Sequence, residues 1–138
     1  STAMAKWLWN RARSFVFSTA LSPAFCRLVL TQVRAARAAD AARARLQTLS
    51  NQLRVELAAH GFPALAGSCG PIVPVVLGSN ERAMKAMHGL RARGILAQAI
   101  RPPTVPKDAA RLRLTAHASW PDDAPLRIAR ALEAVCAS

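Results

Sequence analysis

Lysine, acid and cysteine are all scarce in this chain of 138 residues, and each scarcity removes a class of function. Only Lys6, Lys85 and Lys107 are lysines among 19 basic residues, so a net charge of +12 against seven acids is carried almost wholly by arginine. The arginines are interleaved with alanine rather than clustered, and no nucleic-acid-reading motif accompanies them. Basic charge without a reading element gives only non-specific affinity, so nucleic acid is set aside as a partner. The three cysteines, Cys26, Cys69 and Cys136, are odd in number and widely spaced, and no spacing with His60, His88 or His117 resembles a zinc site. Reduced, mostly buried thiols in a cytoplasmic protein are the expectation. No apolar run reaches the length of a membrane span, and the N-terminal stretch lacks the long apolar core of a secretion signal, so neither membrane nor export is expected.

What is present is a 52% hydrophobic content without repeats or low-complexity linkers, enough for one domain with a modest core. Lys6–Arg13 reads as the last turns of a helix, with Trp7 and Trp9 as packing residues that seal a core. Ser14–Ser18 reads as a short strand. From Pro23 to His60 the pattern is helical, with Ser22 as its cap and Gly61 and Pro63 as its stop. Alanine fills much of Ala35–Ala44, which permits close approach to more than one neighbour. Pro71–Leu77 reads as a buried strand, and Asn80 as the cap of a helix over Glu81–Arg93 that turns Ala83, Met84, Met87 and Leu90 inward. Strands are expected at Ile95–Ile100 and Leu112–Thr115, and Pro121, Asp122 and Asp123 open a last helix to Cys136. The fold class is therefore α+β: a long bridging helix, then a small sandwich whose short, largely antiparallel sheet carries helices on one face.

The stretch Ala97–Leu114, AQAIRPPTVPKDAARLRL, is the candidate anion site. Pro102, Pro103 and Pro106 fix their own φ and bias Arg101 and Val105 toward extended geometry. Strand alternation puts Arg111 and Arg113 on one face and Leu112 and Leu114 on the other. With Arg101 at the end of the preceding strand, these guanidinium groups can converge on a carboxylate through planar forks. On pattern alone the alternative of three solvated surface arginines stays open.

The sequence IRPPTVP at Ile100–Pro106, followed four residues later by RLRL at Arg111–Leu114, resembles the C-terminal signature of the α-oxoamine synthases, in the form found in their biotin-synthesis branch. FVFSTALSPA at Phe15–Ala24 and GPIVPVVLGSNERA at Gly70–Ala83 match in the expected order. The resemblance covers nearly the whole chain but only the C-terminal third or so of such an enzyme. It implies the small domain of a fold-type I enzyme over residues 61–138, a bridging helix over 23–60, and the tail of a large cofactor domain over 1–22. The activity it implies is a homodimeric, pyridoxal 5'-phosphate (PLP) dependent acyl transfer. An amino acid, L-alanine in this branch, condenses with a pimeloyl thioester of coenzyme A or a carrier protein, and carbon dioxide is lost.

By the same resemblance, Arg113 aligns with the arginine that pairs with the amino-acid carboxylate, and Arg101 and Thr104 with loop residues near the acyl substrate. Thr19, with Ser18 beside it, aligns with the hydroxyl that reaches the cofactor phosphate of the neighbouring subunit, although either residue read alone could instead cap the following helix. Arg111 receives no named role. His117 stands where the chain departs from the family pattern and inherits no catalytic role. The Schiff-base lysine belongs upstream, and none of the three lysines here sits in the serine and threonine context the family uses, so this chain alone is expected to be inactive. The competing class is a free-standing interaction module that kept the fold, lost the chemistry and binds an acyl carrier protein through its arginines.

Overall fold

The computed structural model describes residues 1–137, which divide into two compact units, one over 1–39 and one from residue 40 onward. The first unit is helical: α1 over Thr2–Arg11, α2 over Arg13–Val16 and α3 over Pro23–Arg37. Ser1 caps α1 by accepting from the Met4 amide, and Ser22 caps α3 by accepting from the Phe25 amide at 3.2 Å, with Pro23 at the first helical position.

Three expectations for this unit are corrected. Ser14–Ser18 is not a strand: Val16 N–H donates to Ala12 and Phe17 N–H to Arg13, at 3.1 and 3.0 Å, closing a helical turn. A lone strand leaves its backbone groups unpaired, and the unit contains no other strand to pair with. Trp7 and Trp9 do not seal a core; they are 60% and 68% exposed, and Trp9 instead stacks on Phe15 with ring centroids 5.4 Å apart. None of the three helices buries a residue, because a unit this small encloses no interior of its own. Nor does the helix from Pro23 run unbroken to His60. Ala38 N–H is shared between the Arg34 and Ala35 carbonyls at 3.1 and 3.2 Å, and Ala39 N–H reaches Ala36 at 3.3 Å. These shorter-range bonds tighten and close α3, and Asp40 then opens a new helix, its carboxylate placed at the positive end of the dipole.

The second unit holds α4 over Asp40–Ala59, β1 over Ile72–Gly78, α5 over Asn80–Ala92, β2 over Gln98–Ile100, β3 over Ala110–Thr115 and α6 over Ala124–Ala137. Its sheet is wholly antiparallel in the order β1-β3-β2, so the strand carrying Arg111 and Arg113 is the central one. Val73, Val75, Leu77, Leu112 and Leu114 are buried beneath helical Leu53, Leu57, Leu90, Ile128 and Leu132, which form one core with them. At Gly89 an added Cβ would lie 2.5 Å from Val135, so glycine is what lets α5 and α6 meet this closely.

Several termini are set one residue or more from where the pattern suggested: β3 begins at Ala110 rather than Leu112, and α6 at Ala124 rather than Pro121. Ser79, not Asn80, caps α5: its backbone is extended and its hydroxyl accepts from the Arg82 amide at 3.2 Å. Hydrogen bonds from its own backbone and from Ser79 hold the Glu81 carboxyl below its ordinary range. Strand β2 begins at Gln98 rather than Ile95, because Gly94 turns at φ 75° and Ile95 N–H donates back to the Leu90 carbonyl at 3.0 Å. That closure keeps residue 95 with the helix exit. Two arginine clamps, one from exposed Arg45 and one from half-buried Arg54, hold the layers together. Arg54 donates to the Ser50 and Gly70 carbonyls at 2.9 and 2.7 Å, tying the start of β1 to α4. Arg45 donates to the Ala118 and Trp120 carbonyls and pairs with Asp122 at 2.8 Å, tying the turn before α6 to the same helix.

The thiols also differ from expectation: Cys26 and Cys69 are exposed and only Cys136 is part-buried. Cys26 lies in the unit that buries nothing, and Cys69 in the loop before β1. Burial pushes the Cys136 thiol up, against the opposing pull of Arg82 and Lys85. Alkylation by iodoacetamide should therefore modify Cys26 and Cys69 first, and the rate at Cys136 should reach half its maximum at a higher pH than a free-cysteine standard. Equal labelling of all three at neutral pH would contradict this placement.

Candidate functional site: the open face of the sheet

The pleat of β3 sends Leu112 and Leu114 into the core and Arg111 and Arg113 out on the face that the helices leave uncovered. Register fixes their neighbours. Arg111 lies between Val76 of β1 and Ile100 of β2, and Arg113 between Pro74 and Gln98. Arg111 is half-buried and spends its Nε–H on the Ala109 carbonyl at 3.0 Å, holding the end of the incoming loop. Arg113 is exposed and donates from Nη2 to Gln98 Oε1.

Arg101 follows directly on Ile100, where β2 leaves the sheet. The loop then turns through a cis Pro102–Pro103 peptide bond, with Thr104 N–H donating to the Arg101 carbonyl at 3.0 Å, and re-enters at Ala110. Arg101 and Thr104 are both exposed. Ile100 is paired with Arg111, so Arg101 and Arg113 are about three residues apart along the ladder, roughly 10 Å at the usual strand rise. Ser18 and Thr19 belong to the first unit, on the exposed segment between α2 and α3. The Ser18 hydroxyl donates to the Ser14 carbonyl, whereas Thr19 has no side-chain partner among the described residues. Neither caps α3, a task that falls to Ser22.

Two clefts flank β2. One of about 230 Å³ is lined by Leu96, Ala97, Gln98, Arg113 and Thr115. The larger, about 420 Å³, is lined chiefly by Ile95, Leu96, Leu114, Trp120, Arg127 and Ile128, at the end of the strands away from the proline loop. The smaller holds Arg113; the larger holds Arg127, which is shared with Asp123 at 3.8 Å. All three lysines are exposed, and none lines either cleft. His117 is exposed and bonded through Nδ1 to Ser119 Oγ at 2.6 Å. Among the described residues no cluster of histidine, cysteine or acid could hold a metal ion, and no helix is long and apolar enough to cross a membrane.

Gln98, which the sequence pattern does not single out, joins Arg113 on this face and in the smaller cleft. Its signal was the alternation of Gln98 and Ile100, which places both on the arginine face once β2 is paired in register.

A three-stranded antiparallel sheet with helices on one face is the architecture of the small domain of the fold-type I enzymes. Residues 1–132 match the family model for aminotransferase class I and II, and the chain belongs to that family. Among curated relatives, the 8-amino-7-oxononanoate synthase of Anaeromyxobacter dehalogenans is 42% identical over 116 residues, covering 84% of this chain and 29% of the relative. The chain therefore spans well under half the length of such proteins. Among solved structures, the 8-amino-7-oxononanoate synthase of Francisella tularensis superposes with a TM-score of 0.76 at 23% identity, covering 97% of this chain and 39% of that one, a likeness of fold. A serine palmitoyltransferase from S. paucimobilis, solved with a bound PLP-myriocin aldimine, gives 0.76 at 26% identity, covering 89% and 31%.

Proposed function

We propose that this chain is the C-terminal portion of a PLP-dependent acyltransferase of the 8-amino-7-oxononanoate synthase type, condensing L-alanine with a pimeloyl thioester and releasing carbon dioxide in biotin synthesis. The observation that carries the reading is the arginine pair, half-buried Arg111 and exposed Arg113, on the open sheet face of a chain 42% identical over 116 residues to such a synthase. When bound, PLP supplies an electron sink for the bond broken at the amino-acid α-carbon.

The residues present fit a contribution to a PLP site and do not complete one. Three exposed lysines, none in a cleft, offer no enclosed amine. Thr19 keeps a hydroxyl free to donate to a phosphate oxygen of the partner subunit's cofactor, while the Ser18 proton is already committed to Ser14. Thr19 is therefore the better of the two. Arg113 holds the substrate carboxylate and so orients the α-carbon bonds; Arg101 and Thr104, in the turn beyond β2, position the acyl group. The partners are thus the two substrates, a large cofactor domain and a second copy of the chain.

The test is an assay of thiol and carbon dioxide release with PLP. The enzyme carrying this segment should use L-alanine with pimeloyl-CoA in preference to glycine with acetyl-CoA or L-serine with palmitoyl-CoA. The 138 residues alone should turn over none of them. Preference for another pair would move the chain to a different branch, and turnover by the isolated chain would refute the shared site. Micromolar, salt-sensitive binding of an acyl carrier protein by an inactive whole protein would favour the interaction module instead.

A further inference from the structure

Arg113 does not stand alone on the open face. Gln98 is its partner across the β2–β3 ladder, accepts a hydrogen bond from its Nη2, and lines the same 230 Å³ cleft. A guanidinium carries donors only, so the glutamine must turn its oxygen to the arginine and its amide nitrogen away. The amide N–H groups then lie beside the guanidinium N–H groups that the bond leaves free. An exposed arginine has considerable rotamer freedom to lose on gripping a ligand, and an acceptor fixed to one edge of the fork removes part of that freedom beforehand.

We propose that Gln98 and Arg113 form a single clamp for the carboxylate of the amino-acid substrate, in which Gln98 positions the fork and adds neutral donors. The inference rests on the acyltransferase reading above. Neutrality is essential to it. An amide orients Arg113 without cancelling its charge, whereas an acid of the same shape would form an ion pair with Arg113 and repel the incoming carboxylate. Ala97 and Thr115 border the same cleft.

Two substitutions separate positioning from architecture. Gln98→Met keeps the length of the side chain and removes the strong acceptor; Gln98→Glu keeps the shape and adds charge. In the holoenzyme, Gln98→Met should raise the amino-acid KM about five- to tenfold, the scale of one lost hydrogen bond, with kcat and the acyl-donor KM little changed. Gln98→Glu should raise it by about a hundredfold or more, as a charge pair at a binding site does. A second readout needs no turnover: in nitrogen-15 spectra of the 138-residue chain, the Arg113 Nη2–H signal should be sharp and slow to exchange with glutamine or glutamate at 98, and broadened with methionine. Unchanged amino-acid KM in both variants, or an Arg113 signal indifferent to Gln98→Met, overturns the clamp. If Arg113→Ala, assayed alongside, raises that KM while the Gln98 variants do not, the clamp alone fails; if Arg113→Ala also leaves it unchanged, the acyltransferase assignment of Arg113 fails with it.

Discussion

Leu112→Ala should destabilise the chain by about 3 kcal/mol, within the usual range for emptying a leucine-sized space in a packed core. Leu112 is fully buried at the middle of the central strand, paired with Val75 on one side and Ala99 on the other, and it lies in the core that β1, β3, α4, α5 and α6 share. Its side chain fills space in the core that these elements share, and the alanines of that core, Ala83, Ala86 and Ala129, cannot extend to refill it. Leu96, 84% exposed before β2, is the internal control: Leu96→Ala should change stability by less than about 0.5 kcal/mol. Urea titrations followed by far-ultraviolet circular dichroism would compare the two. A Leu112→Ala midpoint no lower than that of Leu96→Ala would mean the sheet is not packed as described.

The second unit was legible because its signals are local and agree with one another. The apolar run at Ile72–Leu77, the polar turn before α5, Gly94 and the Arg-Leu-Arg-Leu alternation each specify one element, and the burial alternation of β3 follows the pleat that alternation implies. The first unit was legible in part: helix at Lys6–Arg11 and the Ser22 cap before Pro23 are met by α1 and α3, while its packing was not, for a physical reason. Trp7, Trp9, Phe15, Phe17 and Phe25 carry the composition of packing residues, and sequence pattern reports that tendency without reporting whether a surface is there to receive it. In this chain they are exposed, and Phe15–Phe17, which reads as a strand by composition, takes the helical turn that satisfies its backbone without a partner. Of the site, Arg111 and Arg113 could be placed on one face from spacing alone, while the link to Gln98 needed register. Fifteen residues separate Gln98 from Arg113, and only the pairing of β2 with β3 brings them together.

Arg113→Ala in the holoenzyme should lower kcat/KM for the amino acid by roughly 30- to 700-fold, the equivalent of about 2 to 4 kcal/mol for a charge-assisted pair sheltered from water. The loss should fall on the amino-acid KM and on turnover together, because a carboxylate held at two points also fixes which α-carbon bond is presented for cleavage. Arg113→Lys retains the charge without the planar fork, so it should recover only part of the loss. Arg101→Ala, on the loop about 10 Å away, should act mainly on the acyl donor. The comparison is clean because Arg113 is exposed in this chain and outside the core, so its removal should leave the unfolding midpoint almost unchanged. A variant with normal stability and unchanged amino-acid kinetics would reject Arg113 as the carboxylate ligand. A variant that loses amino-acid affinity while its acyl-donor KM stays put would place the amino-acid end of the reaction at the middle of β3, and the acyl end by elimination at the proline loop that leads into it.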